Sequence, residues 1–280
     1  MKGFTVFLII LSLVLFSCFS KKTETQENQA ESVNSDNSEN SNMNSNELVS
    51  LMSEVLIKAQ LPEELTINLL DLFINEPAFL ADLAGCFEED FHLRELVDKK
   101  HPLASDYIPE GLVALAGGSY RLGRSNLMLK DVAAISLDEM ATAARTDGVI
   151  FTAGSAYRSF DYQKEVYERN VRILGQAAAD RESARPGHSQ HQSGLVLDFS
   201  PIDDSFANTE ASRWLVENAS KFGWSLSFPE GYEEHTGYRY ESWHYRYVGK
   251  KIAAFIDNYF GGIQQFALRF LYEWEKINGV

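Results

Sequence analysis

Ser189-Gln190-His191-Gln192-Ser193-Gly194-Leu195-Val196-Leu197-Asp198 is the stretch around which this chain is organised. It sets a His and an Asp on either side of a Gly and runs into apolar residues. Two ligands of one metal must bring their donor atoms within about 3–4 Å of each other. On an α-helix, residues seven apart share a face but stand about 10 Å apart along the axis. His191 and Asp198 therefore meet at one metal only if the chain bends between them. Gly194 permits that bend, and Leu195 to Phe199 is strand-like. Alternation puts Val196 and Asp198 on one face and Leu195, Leu197 and Phe199 on the other. An Asp closing an apolar strand is costly unless it is paired or metal-bound. A hairpin with a surface Asp is the other reading of this stretch taken alone.

A second polar cluster, Tyr240-Glu241-Ser242-Trp243-His244-Tyr245, lies further on. Tyr238 to Val248 is aromatic-rich and strand-like, with Trp243, Tyr245 and Tyr247 on one face and His244, Arg246 and Val248 on the other. Glu241 points away from His244 in an ideal strand. Both face one metal only if the chain bends or bulges near Ser242. The two clusters together hold two of the six His and two carboxylates, a set sufficient for a metal site.

Working outward, Leu129 to Arg145 reads as a helix through Val132, Ile135, Leu137, Met140, Ala141 and Ala144, ended by Asp147-Gly148. Val149 to Ala153 is a β-rich run, and a helix follows from about Asp161 to Leu174. Tyr157-Arg158-Ser159 falls where strand hands over to helix, a place where side chains reach clefts; an Arg resting on a surface carboxylate is the plainer alternative. Residues 175–190 read as a loop leading into the opening stretch. Residues 211–226 read as a helix ending near Phe222-Gly223-Trp224. Pro229 to Gly237 reads as a loop whose His235 is solvated. Two helical segments follow from Lys250, broken at Gly261-Gly262, with Phe255, Ile256, Phe270 and Trp274 on packing stripes.

Before this domain, assigned to residues 99–280, residues 47–98 form a helical lead-in. Leu48, Leu51, Met52, Val55 and Leu56 recur at helical spacing, Pro62-Glu63-Glu64 and Glu76-Pro77 look like helix starts, and Cys86 reads as a small buried hydrophobe. His92 and His101 read as surface or core histidines. Residues 19–46 are rich in Asn, Ser, Glu and Gln and read as a disordered tether. Residues 1–18 carry Lys2 and an apolar run from Phe4 to Phe16, short for a spanning helix of about 20 residues and suited to a signal peptide. Leu15-Phe16-Ser17-Cys18 resembles a bacterial lipobox, although Phe16 is bulkier than the small residue usual there. It implies cleavage before Cys18, a lipid on its thiol, and an exported, membrane-anchored lipoprotein facing the periplasm or cell-wall space. An uncleaved N-terminal anchor is the alternative.

The chain has 280 residues, 45% hydrophobic and 12% aromatic, ample for a packed core. A net charge of −15 argues against nucleic-acid binding, which needs clustered Lys and Arg. Two cysteines make no disulfide framework.

Ser189-x-His191-x-x-Gly194-x-x-x-Asp198, then Glu241-x-Trp243-His244, with Tyr157-Arg158-Ser159 and Gln163 upstream, resembles the VanY-type D-alanyl-D-alanine carboxypeptidases, from about Pro102 to about Phe266. These belong with the zinc peptidases that include lysostaphin-type enzymes and the hedgehog fold. The resemblance implies an α+β fold, a small antiparallel sheet with flanking helices. It implies one zinc ion held by His191, Asp198 and His244, a fourth position for water, and Glu241 as general base. Arg158, Ser189 and Gln163 are implied to hold the substrate's terminal carboxylate. The implied reaction is D,D-carboxypeptidase cleavage of the C-terminal D-alanine from peptidoglycan stem peptides, by a monomer. L,D-carboxypeptidase, D,D-dipeptidase and endopeptidase action on the same substrates are alternatives, as is a non-catalytic zinc-stabilised binding module. Val196 stands where the family usually has a small Ala, and Ser242 where it often has Pro. Both leave the reaction class intact and bear on substrate preference.

Overall fold

In the computed structural model of the chain, residues 45–279 are described. The expected signal peptide, Cys18 and nearly all of the tether lie outside the described residues. The described chain divides into two compact units, one made of residues up to Glu88 together with Phe270–Val280, the other of Glu89–Arg269.

The first unit is helical: Ser45–Ala59, Glu63–Asn75 and Pro77–Cys86, with the end of the helix Gln264–Asn278. Its core is Met52, Val55, Leu56, Leu69, Phe79 and Leu83, with Cys86 buried among them. Phe73 meets Trp274 at 6.2 Å and Phe79 meets Phe270 at 6.4 Å between ring centroids. Residues 270–280 thus group with the lead-in helices and not with the domain assigned to 99–280. The other boundary also differs from the expected residue 98, and the reason is bonding. Arg246 is fully buried and donates from Nη2 to the carbonyls of Glu95 at 2.8 Å and Leu93 at 3.3 Å. The Asp98 carboxylate accepts from the backbone N–H groups of Lys100 and His101 and from Gln265 Nε2 at 2.8 Å. Residues 89–98 are therefore tied into the second unit.

That unit is built on a five-stranded sheet. Its strands are β2 (Arg121–Leu122), β4 (Thr152–Ser155), β5 (Val196–Phe199), β6 (Trp224–Leu226) and β7 (His244–Tyr247), in the order β2-β4-β5-β7-β6. The expectation of an antiparallel sheet holds for its inner pairs, but β2 runs parallel to β4 at the edge. A separate two-stranded ribbon pairs β1 (Leu112–Ala114) with β3 (Met128–Lys130). Leu129 is therefore in a strand, and the helix expected from that residue begins at Asp131. It turns Ala133, Leu137, Met140, Ala141 and Ala144 inward and leaves Val132 and Ile135 outside.

The helix Phe160–Leu174 follows β4 and starts on the Ser159 hydroxyl, which accepts from Tyr162 N–H. Residues expected to form a plain loop include the short helix Gln176–Glu182, and Glu233–Thr236 is helical within the expected His235 loop. His235 is only half exposed, its ring 4.9 Å from that of Phe266. The helix read over 211–226 is Glu210–Asn218, followed by a 3-10 turn and β6. Phe151, Phe199 and Tyr245 form an aromatic core beside the sheet, with Phe199–Phe151 centroids 5.2 Å apart and Phe199–Tyr245 5.9 Å apart. Leu197 and Phe199 thus pack away from Asp198, as the alternation predicts.

Candidate metal centre

The bend predicted between His191 and Asp198 is real. Gln190–Ser193 makes one 3-10 turn, Gly194 follows with φ 73°, and β5 begins at Val196. Positive φ favours Gly, and a Cβ here would also stand 3.0 Å from Leu112 Cδ2 and 3.1 Å from Pro109 Cγ. In β5 Asp198 lies directly opposite His244 of β7. Facing cross-strand residues point to the same side of a sheet, which brings this carboxylate to this imidazole. The bend expected near Ser242 is a turn over Ser242-Trp243, closed by His244 N–H to the Glu241 carbonyl at 3.1 Å. It returns Glu241 to the site, Oε2 lying 3.5 Å from His244 Nδ1.

One donor atom from each of His191, Asp198 and His244 lies within 4.8 Å of the others, and all three residues are buried. His191 Nε2 is 3.1 Å from Asp198 Oδ2, and His244 Nδ1 is 3.0 Å from Asp198 Oδ1. The other nitrogen of each ring is committed. His191 Nδ1–H donates to the Ala156 carbonyl at 2.7 Å, and His244 Nε2–H donates to Gln190 Oε1 at 3.2 Å. With those nitrogens committed, His191 Nε2 and His244 Nδ1 are the ring atoms that face the Asp198 carboxylate. Burial, then the Arg158 guanidinium, push the His191 pKa down to about 4, so this ring is neutral near pH 7. Burial opposes charge on Asp198, yet His191 and His244 hold its pKa well below the usual carboxylate range. Asp198 Oδ1 is buried with no hydrogen bond among the described residues. Two inward ring nitrogens converging on an ionised carboxylate make the ligand set of a divalent cation, which takes such groups deprotonated.

Glu241 is a different carboxylate. Burial pushes its pKa up to about 7, against the pull of His244. Two acids beside the same imidazole are thus held in different ranges, one favoured as the anion and one able to exchange a proton near neutrality.

Arg158 also reaches the centre. Its Nη2 donates to Asp198 Oδ2 at 2.9 Å and to Ser155 Oγ at 2.8 Å. An irregularity in β4 brings Ser155 opposite Asp198. Gln163 is buried; its Oε1 faces Arg158 Nη1 at 3.5 Å while its Nε2 donates to the Ala184 carbonyl at 2.8 Å. Ser189 is buried and lines the same cleft of about 370 Å³, together with Arg158, Gln163, Glu241 and the three candidate ligands. The implied ligands His191, Asp198 and His244, the implied base Glu241, and Arg158, Ser189 and Gln163 therefore all line one cleft. Sequence reasoning missed Gln190, Ser155 and the Ala156 carbonyl, which orient the ligands and Arg158. It also missed Phe228, whose ring packs 4.7 Å from that of His244. Gln190 lies beside His191, and Ser155 and Ala156 just before Tyr157-Arg158-Ser159, while Phe228 lay near no signal.

Mixed sheet and three-donor centre together define the class, a single metal site built on the paired middle strands. The pattern of the VanY family, D-alanyl-D-alanine carboxypeptidase, matches residues 126–250. A D-alanyl-D-alanine carboxypeptidase of Enterococcus faecium is 34% identical over 161 residues, 55% of this chain and 50% of that protein. The solved structure of the LdcB LD-carboxypeptidase superposes with a TM-score of 0.55 at 34% identity, over 60% of this chain and 85% of that one. A vancomycin-resistance D,D-pentapeptidase VanY in complex with Zn(II) gives 0.53 at 31% identity, over 63% and 99%. The chain belongs to the VanY family. It spans between 50% and 62% of the length of three curated relatives it matches.

Proposed function

We propose that this protein is a zinc-dependent D,D-carboxypeptidase that releases the C-terminal D-alanine from peptidoglycan stem peptides. The observation that carries the reading is the convergence of His191, Asp198 and His244 with a second, raised-pKa carboxylate, Glu241, 3.5 Å from His244. His191 Nε2, Asp198 and His244 Nδ1 would hold the ion. When bound, zinc supplies Lewis acidity to water and to the scissile carbonyl. Glu241 takes the proton of the attacking water and passes it to the departing amine. Its elevated pKa suits both halves of that transfer. Arg158, braced by Ser155 and Gln163 on the cleft wall, holds a free terminal carboxylate and selects the chain end. Ser189 adds a hydroxyl beside it.

The test is to incubate the full-length chain with pentapeptide and tetrapeptide muropeptides, with and without chelator, and to read products by mass spectrometry. Loss of one alanine from the pentapeptide, abolished by chelator and restored by zinc, supports the reading. Cleavage of no stem peptide would remove it. The likeness to the LdcB LD-carboxypeptidase favours a second reading, in which the tetrapeptide alone is trimmed.

We further propose that Cys18 is lipidated and anchors an exported monomer. No helix among the described residues is long and apolar enough to cross a membrane. The Cys18→Ala chain is expected to leave the membrane fraction, as read by fractionation and blotting.

A further inference from the structure

Beside the cleft lies a second cavity of about 290 Å³, lined by Lys99, Asp180, Ser183, Arg185, His188 and Tyr238. Ser183, His188 and Tyr238 line the main cleft as well, so the two spaces share a wall. Lys99 comes from the segment before the family match, and nothing in the site described above uses it. Among the described residues its Nζ makes one hydrogen bond, to the Asp180 carbonyl at 2.7 Å, and it lies 4.6 Å from the centre of the Tyr238 ring. An ammonium has three donors. The nearby carboxylates are already taken. Asp180 accepts two hydrogen bonds from Arg185 at 3.0 Å each, and Glu233 pairs with Arg181. Lys99 is left as a cation without a carboxylate partner among the described residues. The Tyr238 residue is 5% exposed, and its hydroxyl has no hydrogen-bond partner among them either. Gly237, at φ 82°, makes room for the lysine stem: a Cβ there would stand 2.9 Å from Lys99 Cδ.

We propose that this side cavity is a second anion subsite of the cleft, where Lys99 takes a carboxylate that the peptide substrate carries away from the bond that is cut. The proposal rests on the peptidase reading above and adds a specificity element to it. Arg185 and Arg181 are spent on Asp180 and Glu233, so the one ammonium left without a carboxylate suits a monoanion better than a phosphate dianion.

The test uses two peptides with the same C-terminus, N-acetyl-L-Ala-γ-D-Glu-L-Lys-D-Ala-D-Ala and its counterpart carrying an α-carboxamide on the D-Glu residue. Cleavage is measured for the zinc-loaded full chain, and binding is measured by calorimetry on the Glu241→Gln chain. Wild type is expected to favour the free carboxylate about 5- to 10-fold in kcat/KM, mostly through KM, the scale of one charged hydrogen bond on partly exposed ground. Lys99→Met, which keeps the stem over Tyr238, is expected to erase that preference, losing on the acid peptide and not on the amide. Lys99→Arg is expected to retain it. Equal rates and affinities for the two peptides, or a Lys99→Met loss shared by both, overturn the subsite while cleavage leaves the peptidase reading standing. If neither peptide is cleaved but the Lys99-dependent difference in affinity persists, the subsite stands and the reaction assignment falls. If neither is cleaved and no such difference is found, both fall.

Discussion

Glu241 and Gln190 address one imidazole from opposite sides. Glu241 Oε2 stands by the inward Nδ1 of His244, and Gln190 Oε1 accepts from its outward Nε2. Their loss should therefore be distinguishable. Glu241→Ala is expected to keep its zinc, by elemental analysis, and to lose at least about 100-fold in turnover, the scale of a general base. Normal activity would remove Glu241 from that role. With its pKa at about 7, the base form of Glu241 grows in as pH rises. In the zinc-loaded protein the dication lowers that value, so the rate is expected to fall as pH drops on an acid limb lying below about 7. Gln190→Ala leaves His244 free to turn or to change tautomer. It is expected to weaken zinc about 10- to 100-fold, the usual cost of losing an outer partner. Competition with a chromophoric chelator reads this directly, and Gln190→Glu, which retains an acceptor, is expected to recover most of it.

At the scale of elements, the site hangs on three local departures from regularity: the Gly194 turn, the Ser242-Trp243 turn and the irregularity in β4. Gly194→Ala places a Cβ against Leu112 and Pro109 at positive φ. A loss of about 1–3 kcal/mol in urea unfolding is expected; an unchanged midpoint would show that the turn relaxes freely. Such departures are partly legible beforehand. The need for a bend at Gly194 and near Ser242 follows from fixed strand and helix geometry. The irregularity in β4 does not, because it exists only where Ala153 and Ser155 are paired with β5. Helices with clear apolar spacing were readable, as in Phe160–Leu174 and Lys250–Phe260. Leu129 was misread because an apolar residue fits strand β3 and a helical stripe equally well. The helix Gln176–Glu182 was missed because a short polar segment gives no periodic signal.

For the molecule as a whole, the segment 89–98 joins the second unit through buried polar bonds as well as through Leu93, Leu96 and Val97, and those polar bonds to distant residues are what sequence periodicity could not show. Asp98 is the centre of that joint. Burial opposes its charge, but hydrogen bonds from Lys100, His101 and Gln265 lower its pKa on balance. A carboxylate depressed on folding adds stability that is fully present above the unfolded pKa of about 4 and is lost as pH falls below it. Asp98→Asn is therefore expected to cost about 1–3 kcal/mol at pH 7, leaving buried donors poorly met, and to shrink the difference between pH 7 and pH 3; equal stability loss at both pH values would contradict this. The sequence by itself determined the residue types and their bends: His191, Asp198, Glu241 and His244 with the glycine and turn that let them converge, because spacing and backbone geometry are local. Only the tertiary structure decided which imidazole nitrogen faces inward, which carboxylate is held ionised and which near neutrality, and that Lys99 opens onto the same cleft. Those depend on burial and on partners brought from distant segments, and no local pattern carries them.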